Sequence, residues 1–275
     1  MFNSGPYTQA QLAEQGMSPV EVRKLLDAGR MRRIRRVWLS DDRNSADAVR
    51  AVELGGRLGC LSACRHHGLW VPQDPDLHVA LSPWESIPAF PGPGVQFHRL
   101  ARSCPTAVLP LEDAVAQVVR RHDLETGLVV LESAVAEGRM LEGDARALIA
   151  ELPTRKARAA QYFSPLAQSG SETRLRLFFQ RNRIPVQPQA HVPGVGRVDL
   201  LVGRSWIIEA DSDAHHSARQ DVMVDRRRDL DSRVDGFDRD RFSYEQIWHT
   251  WDRTQDYLRK RIRTRRHLLA PVPLR

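Results

Sequence analysis

Long apolar runs and paired cysteines are what this sequence of 275 residues most clearly lacks. No apolar run approaches the ~20 residues that a membrane-spanning helix needs. The first residues, MFNSGPY, do not show the basic segment followed by an apolar segment that marks a secretory signal. Three cysteines, an odd number, argue against a disulfide framework. These absences predict a cytoplasmic protein with no membrane partner.

Lysine is also scarce, because arginine supplies nearly all of the 41 basic residues. The net charge is +7 and the pI is near 9.9. Arginine makes bidentate contacts with phosphate, so its excess favours an acidic polymer as a partner. Arginine-rich proteins from GC-rich genomes have the same composition without such a partner. With 41% hydrophobic and 27% charged residues, the chain is predicted to be globular, with two or three domains.

Two short helices are predicted near the N-terminus. Capping-box patterns open them at Thr8–Gln11 and Ser18–Glu21, and glycines stop them at Gly16 and Gly29. The segment that follows is typical of a strand or wing. Two helices and a strand so closely spaced predict a winged helix-turn-helix within residues 1–82.

A basic surface is predicted in this same region. Seven Lys or Arg residues and one acid lie between Arg23 and Arg36. Such density favours contacts with DNA phosphates, although a solvated face or a protein-binding surface would have the same pattern. The candidate nucleic-acid-binding residues here are Arg32, Arg33, Arg35 and Arg36.

Cysteine and histidine lie close together ahead of the middle region, residues 83–164, which is predicted to be an α+β connecting segment. The residues are Cys60, Cys64, His66 and His67, with Cys104 further along the chain. Their spacing is not that of a zinc knuckle. Cysteines four residues apart on an apolar helix favour core packing instead. Zinc binding is the alternative interpretation.

The segment RVDLLVGRSWIIEAD predicts a β-hairpin with acids in its strands. A three-residue turn at residues 203–205 would pair Val202 with Trp206. Asp199 would then lie opposite Glu209, and Asp211 would point to the same side, because cross-strand neighbours share a face. A two-residue turn would instead put Asp199 and Glu209 on opposite faces.

Three carboxylates on one face repel one another, so a cation is expected between them. Mg²⁺, or Mn²⁺ in its place, takes oxygen ligands and would be held by Asp199, Glu209 and Asp211. Glu172, on the same helical stripe as Leu175, would reach this cluster as a further ligand. The other interpretation is that Glu172 is a first-turn glutamate whose negative charge interacts favourably with the helix dipole.

Residues beyond the hairpin complete the predicted site. His215 would turn back over the acids as a general base or a phosphate donor, and a surface histidine in a loop is the alternative. His216 and Asp225 are further candidates. Arg226 and Arg228 would contact DNA phosphates, or belong to a salt-bridged exposed helix.

Residues 171 to about 250 resemble the Vsr-like endonuclease domains of the PD-(D/E)XK nuclease superfamily. The matching motifs, in order, are S-E-T-R-L-R-L, R-V-D-L-L, I-I-E-A-D-x-x-x-H-H and D-R-R-R-D-L. The front of the chain resembles the winged-helix domain of AbiEi-type antitoxins, through T-x-A-Q-L, R-R-I-R-R and L-S-A-C-R-H-H-G-L.

The resemblance implies an α/β fold, α+β overall, with a mixed sheet flanked by helices over residues 165–275. It implies Mg²⁺-dependent cleavage of DNA, with Asp199 and Glu209 as metal-binding acids and His215 as the family's histidine. Asp211 stands where the superfamily has lysine. The expected last strand, within residues 236–243, is far more charged than a buried strand, which indicates either an edge strand or an altered activity.

The predicted function is therefore that of a metal-dependent DNA endonuclease, a hydrolase of phosphodiester bonds acting in DNA repair or in defence. The alternative is a non-catalytic DNA-binding regulator of the antitoxin type with a degenerate nuclease domain. Cleavage of RNA stays open as well, because the metal chemistry is shared.

Overall fold

The computed structural model describes residues 5–211 and 236–272. Its contacts divide the chain into two compact units, Met1–Val130 and Leu131–Arg275. The sequence predicted three regions, with boundaries after residues 82 and 164. The boundary between the two units falls inside the helix Leu124–Ala136. Glu132, in the part of this helix that belongs to the second unit, forms a buried ion pair with Arg176 of the same unit.

The first unit is mixed α and β. Its helices are α1 (Gln9–Glu14), α2 (Pro19–Asp27), α3 (Ala46–Glu53), α4 (Cys60–His66) and α5 (Leu111–Arg121), and α6 (Leu124–Ala136) runs across the boundary. Its strands are β1 (Tyr7–Thr8), β2 (Met31–Arg33), β3 (Trp38–Asp41), β4 (Arg57–Leu58), β5 (Leu77–Leu81) and β6 (Val95–Arg99). They form two sheets of three strands, in the orders β1-β3-β2 and β4-β5-β6.

The predicted capping boxes are confirmed at the start of α1 and α2. Thr8 accepts a hydrogen bond from the Gln11 N–H, and the Gln11 side chain accepts one from the Thr8 N–H. Ser18 and Glu21 exchange the same pair of bonds. Apolar side chains from both helices and the adjoining sheet then share one core, made of Tyr7, Leu12, Val22, Met31 and Leu39.

The second unit is built on a four-stranded sheet. Its strands are β7 (Val186–Val192), β8 (Gly196–Val202), β9 (Trp206–Ala210) and β10 (Asp238–Phe242). The order is β10-β9-β8-β7, with β10 parallel to β9 and the other pairs antiparallel. The charged strand β10 lies at the edge of this mixed sheet, as predicted.

Helices cover one face of this sheet. The α-helices in the described part of this unit are α7 (Glu142–Ala150), α8 (Thr154–Ala159), α9 (Gly170–Arg181), α10 (Tyr244–Trp248) and α11 (Trp251–Arg263). Leu175 and Phe179 of α9 pack against Trp206 and Ile208 of β9, with Leu258 of α11 in the same cluster. This burial follows from the apolar stripe of α9 and from the period-two alternation of the strands.

The turn between β8 and β9 sets the register of the site. Val202 pairs with Trp206, so the predicted three-residue turn is confirmed. Gly203 adopts φ +62°, and a Cβ at this position would overlap the carbonyl oxygen of His267. The neighbouring Arg204 N–H donates to that same oxygen at 2.7 Å. Glycine is therefore required here on both conformational and steric grounds.

In residues 5–211 and 236–272, no helix is both long enough and apolar enough to cross a membrane.

Candidate active site

A row of polar side chains crosses three strands of the C-terminal sheet. Leu200 pairs with Ile208, so the next positions along the hairpin, Asp199 and Glu209, are neighbours. The β7–β8 register sets Gln189 beside Asp199 on the other side. Because cross-strand neighbours project from the same face of a sheet, these residues of β7, β8 and β9 lie together.

Asp199 and Glu209 each accept a hydrogen bond from a backbone N–H of the neighbouring strand. The Ala210 N–H donates to Asp199 Oδ2 at 2.9 Å. The Asp199 N–H donates to Glu209 Oε2 at 3.3 Å. Both residues are partly buried. The two carboxylates predicted to face each other from adjacent strands are thus brought side by side.

Glu172 approaches this row from the first turn of α9. Its side chain is 6% exposed. Oε1 accepts a hydrogen bond from the hydroxyl of the N-cap residue Ser169 at 3.1 Å. Oε2 accepts from the Gln168 N–H at 3.1 Å and from Gln189 Nε2 at 2.6 Å. Glu172 lies in the first helical turn, and Gln189 links its carboxyl group to the sheet; its role as a metal ligand stays a prediction.

Burial dominates the electrostatics of these acids. It raises the pKa of Glu172 to about 7, and the negative charge of Asp199 adds to the effect. Burial and Asp199 also raise the pKa of Glu209, whereas Arg239 acts in the opposite direction. A site that shifts two carboxyl groups toward neutral pH is typical of a functional centre.

Two arginines of β10 border the acids, and sequence reasoning did not assign them to the site. Arg239 Nη2 lies 3.2 Å from Glu209 Oε1, with its side chain 8% exposed. Arg241 Nε lies 3.9 Å from Asp211 Oδ1. The sequence shows an alternation of acid and arginine in β10. Only the pairing of β10 with β9 shows that these arginines lie beside the acids of the hairpin.

Asp211 differs in position from the other two predicted metal ligands. It follows the last residue of β9, and its side chain is 54% exposed. It lines the same pocket as Asp199 and Glu209, together with Gln189 and Arg239. Asp211 therefore borders the pair of partly buried acids at the rim of the pocket.

The donor set fits a hard divalent cation. All the acidic side chains here offer oxygen atoms, which Mg²⁺ and Mn²⁺ prefer. Within the described part of the chain, these carboxylates do not bring three ligand atoms within 4.8 Å of one another. Mg²⁺ is commonly held by one or two carboxylates, with water and substrate phosphate completing its shell. Asp199 and Glu209 match that two-carboxylate arrangement.

The remaining predicted residues of this site are in the segment that the structure does not describe. They are His215, His216, Asp225, Arg226 and Arg228.

The four predicted DNA-binding arginines of the first unit are all exposed. Glu53 contacts two of them: it lies 3.4 Å from Arg32 Nη2, and its carbonyl oxygen accepts from Arg35 Nη1 at 3.4 Å. Arg33 Nη1 donates to the carbonyl oxygen of Arg36 at 3.0 Å. The surface is basic and accessible, and Glu53 contacts two of its four arginines.

No protein-family model matches this chain, and no curated protein matches it significantly. A solved structure with some similarity is entitled "Crystal structure of RV2827C protein from Mycobacterium tuberculosis". The two chains are 16% identical, with a TM-score of 0.32, and the match covers 63% of this chain and 75% of that one. A similarity this weak carries no argument about fold or function.

Proposed function

We propose that this protein is a Mg²⁺-dependent DNA endonuclease of the cytoplasm, with a C-terminal domain of the Vsr-like, PD-(D/E)XK type. One observation carries the proposal. Asp199 and Glu209 lie side by side on adjacent strands, in a pocket where their mutual repulsion is only partly offset by Arg239. Burying two acids in this way is costly unless a cation joins them.

Asp199 and Glu209 would hold the cation through their carboxylate oxygens, and Asp211 borders them at the rim of the pocket. Mn²⁺ would serve in place of Mg²⁺, because both ions take oxygen ligands. When bound, such a cation supplies Lewis-acid chemistry, lowering the pKa of water and neutralising charge on a phosphate oxygen.

Glu172 would exchange a proton during the reaction. Its pKa of about 7 means that both protonation states are populated at neutral pH, as general acid–base catalysis requires. Gln189 orients this carboxyl group by donating to Oε2. Arg239, beside Glu209, would supply the fixed positive charge that lysine provides elsewhere in the superfamily, and a guanidinium also suits a phosphate.

DNA would also be bound through the first unit. The two capped helices and the β2–β3 hairpin agree with a winged helix-turn-helix, and four exposed arginines lie on or beside this hairpin. Phosphate contacts of this kind add affinity without sequence preference. The same proposal covers a role in DNA repair or in defence.

The test is cleavage by the purified full-length chain. Supercoiled, mismatched and single-stranded DNA, and a single-stranded RNA, are incubated with Mg²⁺, Mn²⁺ or EDTA. We expect at least one DNA to be cut with either cation and none with EDTA. Cleavage that persists in EDTA contradicts the proposal. Cleavage of the RNA alone would mean that the substrate is RNA and not DNA.

A second candidate is a non-catalytic DNA-binding regulator. It is favoured by the contact between Arg239 and Glu209, because a buried guanidinium already neutralises one of the two acids. DNA binding in a gel-shift assay, without cleavage under any of these conditions, would support this alternative.

The Glu172→Gln variant tests the proton on Glu172. An amide keeps all three contacts, since its oxygen can accept from Gln168 and Gln189 while its NH₂ group donates to the Ser169 hydroxyl. The folded protein holds a proton on Glu172 up to pH about 7, whereas the unfolded chain releases it near 4.5. The free energy of unfolding therefore falls as the pH rises between these values, by about 3 kcal/mol from this group.

Urea unfolding in EDTA at pH 5 and pH 8 measures this effect. We expect the variant to lose less stability than the wild type between the two pH values, and so to gain relative stability at pH 8. Glu209 contributes a slope of the same sign in both proteins, so the comparison isolates Glu172. An identical pH dependence in the two proteins would show that Glu172 ionises normally.

A further inference from the structure

A second group of ligating side chains lies in the first unit. Cys60 and three histidines, His78, His98 and His122, each present one donor atom, and all four atoms lie within 4.8 Å of one another. Cys60 Sγ is 3.1 Å from His122 Nε2. His78 Nδ1 is 2.8 Å from His98 Nε2. Four donors of the kind that bind transition metals therefore converge on a single point.

Four separate elements deliver these donors. Cys60 is the first residue of α4, His78 is on β5, His98 is on β6, and His122 directly follows α5. The strands β5 and β6 pair in parallel, so His78 and His98 come from neighbouring strands. Their rings stack at 5.0 Å with an interplanar angle of 7°. The convergence is a product of the tertiary fold, which holds the donors at fixed places.

Backbone strain marks the cysteine. Cys60 has φ +48°, a left-handed conformation that few non-glycine residues adopt. Such strain persists only where the surroundings demand it, often at functional sites. Here this conformation accompanies the approach of Sγ to His122.

A carboxylate lies behind one of the histidines. Asp74 Oδ2 is 3.3 Å from His78 Nε2, the nitrogen that does not face the cluster. Metal-binding histidines usually have such a partner on the far ring nitrogen, which orients the ring and makes it a stronger ligand. His78 itself is fully buried. Asp74 therefore lies at the position where the outer partner of a metal-binding histidine is usually found.

Cys64 provides an internal comparison. It lies four residues after Cys60 on the same helix, and both side chains are fully buried. Cys64 does not belong to the group of converging donors. The favoured sequence interpretation, core packing of both cysteines, therefore suits Cys64, whereas Cys60 has three imidazoles around it. The zinc site considered from the sequence included His66 and His67, the histidines nearest to Cys64 in the chain. Neither belongs to the group of four converging donors.

We propose that Cys60, His78, His98 and His122 bind one Zn²⁺ ion. One thiolate and three imidazoles form a tetrahedral donor set that zinc accepts and that magnesium does not. Four protein ligands leave no open position, so the ion is structural, joining α4, β5, β6 and the end of α5. The inference is independent of the carboxylate site in the C-terminal unit.

The experiment measures metal in the purified full-length chain. Zn²⁺ is added, excess is removed by dialysis, and bound metal is counted by mass spectrometry. We expect about one zinc per wild-type chain, as for a four-ligand structural site. Replacing Zn²⁺ with Co²⁺ should produce a thiolate-to-cobalt charge-transfer band and the visible bands of tetrahedral cobalt. Binding without a thiolate band would overturn the proposed ligand set.

Two variants on the same helix separate metal binding from packing. Cys64→Ala is expected to keep the metal and the cobalt spectrum, whereas Cys60→Ala is expected to lose both. Zn²⁺ should raise the Tm of the wild type and of Cys64→Ala only. Far-UV circular dichroism checks that each variant folds. If Cys60→Ala does not fold, His122→Ala takes its place as the ligand variant, because His122 is only partly buried and its loss should disturb packing less. Equal metal content in the wild type and either ligand variant, or no metal in the folded wild type, would overturn the proposal.

Discussion

Asp199→Asn is expected to lower the rate of DNA cleavage by at least about 10³-fold, because a catalytic cation contributes several kcal/mol to transition-state stabilisation. Asparagine keeps the size of the side chain, and its amide oxygen can still accept the Ala210 N–H. The change therefore removes the charge and leaves the hairpin intact. The measurement is the single-turnover cleavage rate on the best DNA substrate, at saturating Mg²⁺.

The stability of Asp199→Asn is not expected to fall with its activity. The negative charge of Asp199 contributes to the raised pKa of both Glu172 and Glu209. Removing it relieves this repulsion, so the variant is expected to be at least as stable as the wild type at pH 8 in EDTA. Lost activity together with undiminished stability would identify Asp199 as a functional residue, since a purely structural residue would lose both.

The matched control is Asp252→Asn, which changes an exposed acid in the first turn of α11 of the same unit. It should retain full cleavage activity. Asp211→Asn is the informative intermediate, because Asp211 lies at the rim with a half-exposed side chain. If Asp199→Asn cleaves DNA as fast as Asp252→Asn does, the proposed site is wrong.

Breaking the buried ion pair between Glu132 and Arg176 is the change expected to affect stability most. Arg176 Nη2 lies 2.5 Å and 2.7 Å from the two oxygens of Glu132, and each side chain is 1% exposed. Glu132→Gln leaves the guanidinium buried without its counter-charge, at a cost of about 3–5 kcal/mol. For a unit of this size the Tm should fall by roughly 6–20 °C.

A double-mutant cycle measures the interaction itself. Arg176→Met alone leaves Glu132 as the unpaired buried charge, whereas the double variant with Glu132→Gln buries no charge at all. In Glu132→Gln the amide oxygen can still accept the hydrogen bond that the Ser164 N–H donates to Oε1, and the NH₂ group in place of Oε2 can donate to the Thr173 hydroxyl. We expect the double variant to lose less stability in urea unfolding than the sum of the single variants, by more than about 2 kcal/mol. Additive losses would mean that the two charges do not stabilise each other.

The ion pair also bears on the site. Arg176 and Glu172 are four residues apart on α9, so they share one side of the helix. Arg176 anchors α9 to α6, and Glu172 projects toward the sheet a turn earlier. Cleavage by these variants, measured at a temperature where each is folded, should be close to that of the wild type, because neither residue of the ion pair belongs to the acidic site. A large loss of activity would show that the ion pair positions α9 and with it Glu172.

Local chemistry made part of the fold predictable. Thr8 and Ser18 open helices through capping boxes, which depend on residues three positions apart. Gly203 permits a turn of three residues, and the alternation of the strands then brings Asp199 beside Glu209. Each of these inferences needed only a few neighbouring residues, because φ preferences and strand periodicity act over that range.

The partners of those acids could not be predicted in the same way. Arg239 is 30 residues from Glu209 along the chain and reaches it because β10 pairs in parallel with β9. The sequence-based zinc alternative grouped Cys60 with its neighbours, yet the imidazoles around it belong to His78, His98 and His122. His67 instead contacts the carbonyl oxygen of Leu109, at 2.8 Å.

By itself, then, the sequence determined the capped helices, the hairpin turn and the pair of facing acids, since each depends on backbone conformation within a short segment. Only the tertiary structure decided which arginines lie beside those acids, which histidines surround Cys60, and that Glu132 pairs with Arg176. These contacts join residues tens of positions apart, and strand pairing and helix packing, which a local pattern does not encode, bring them together.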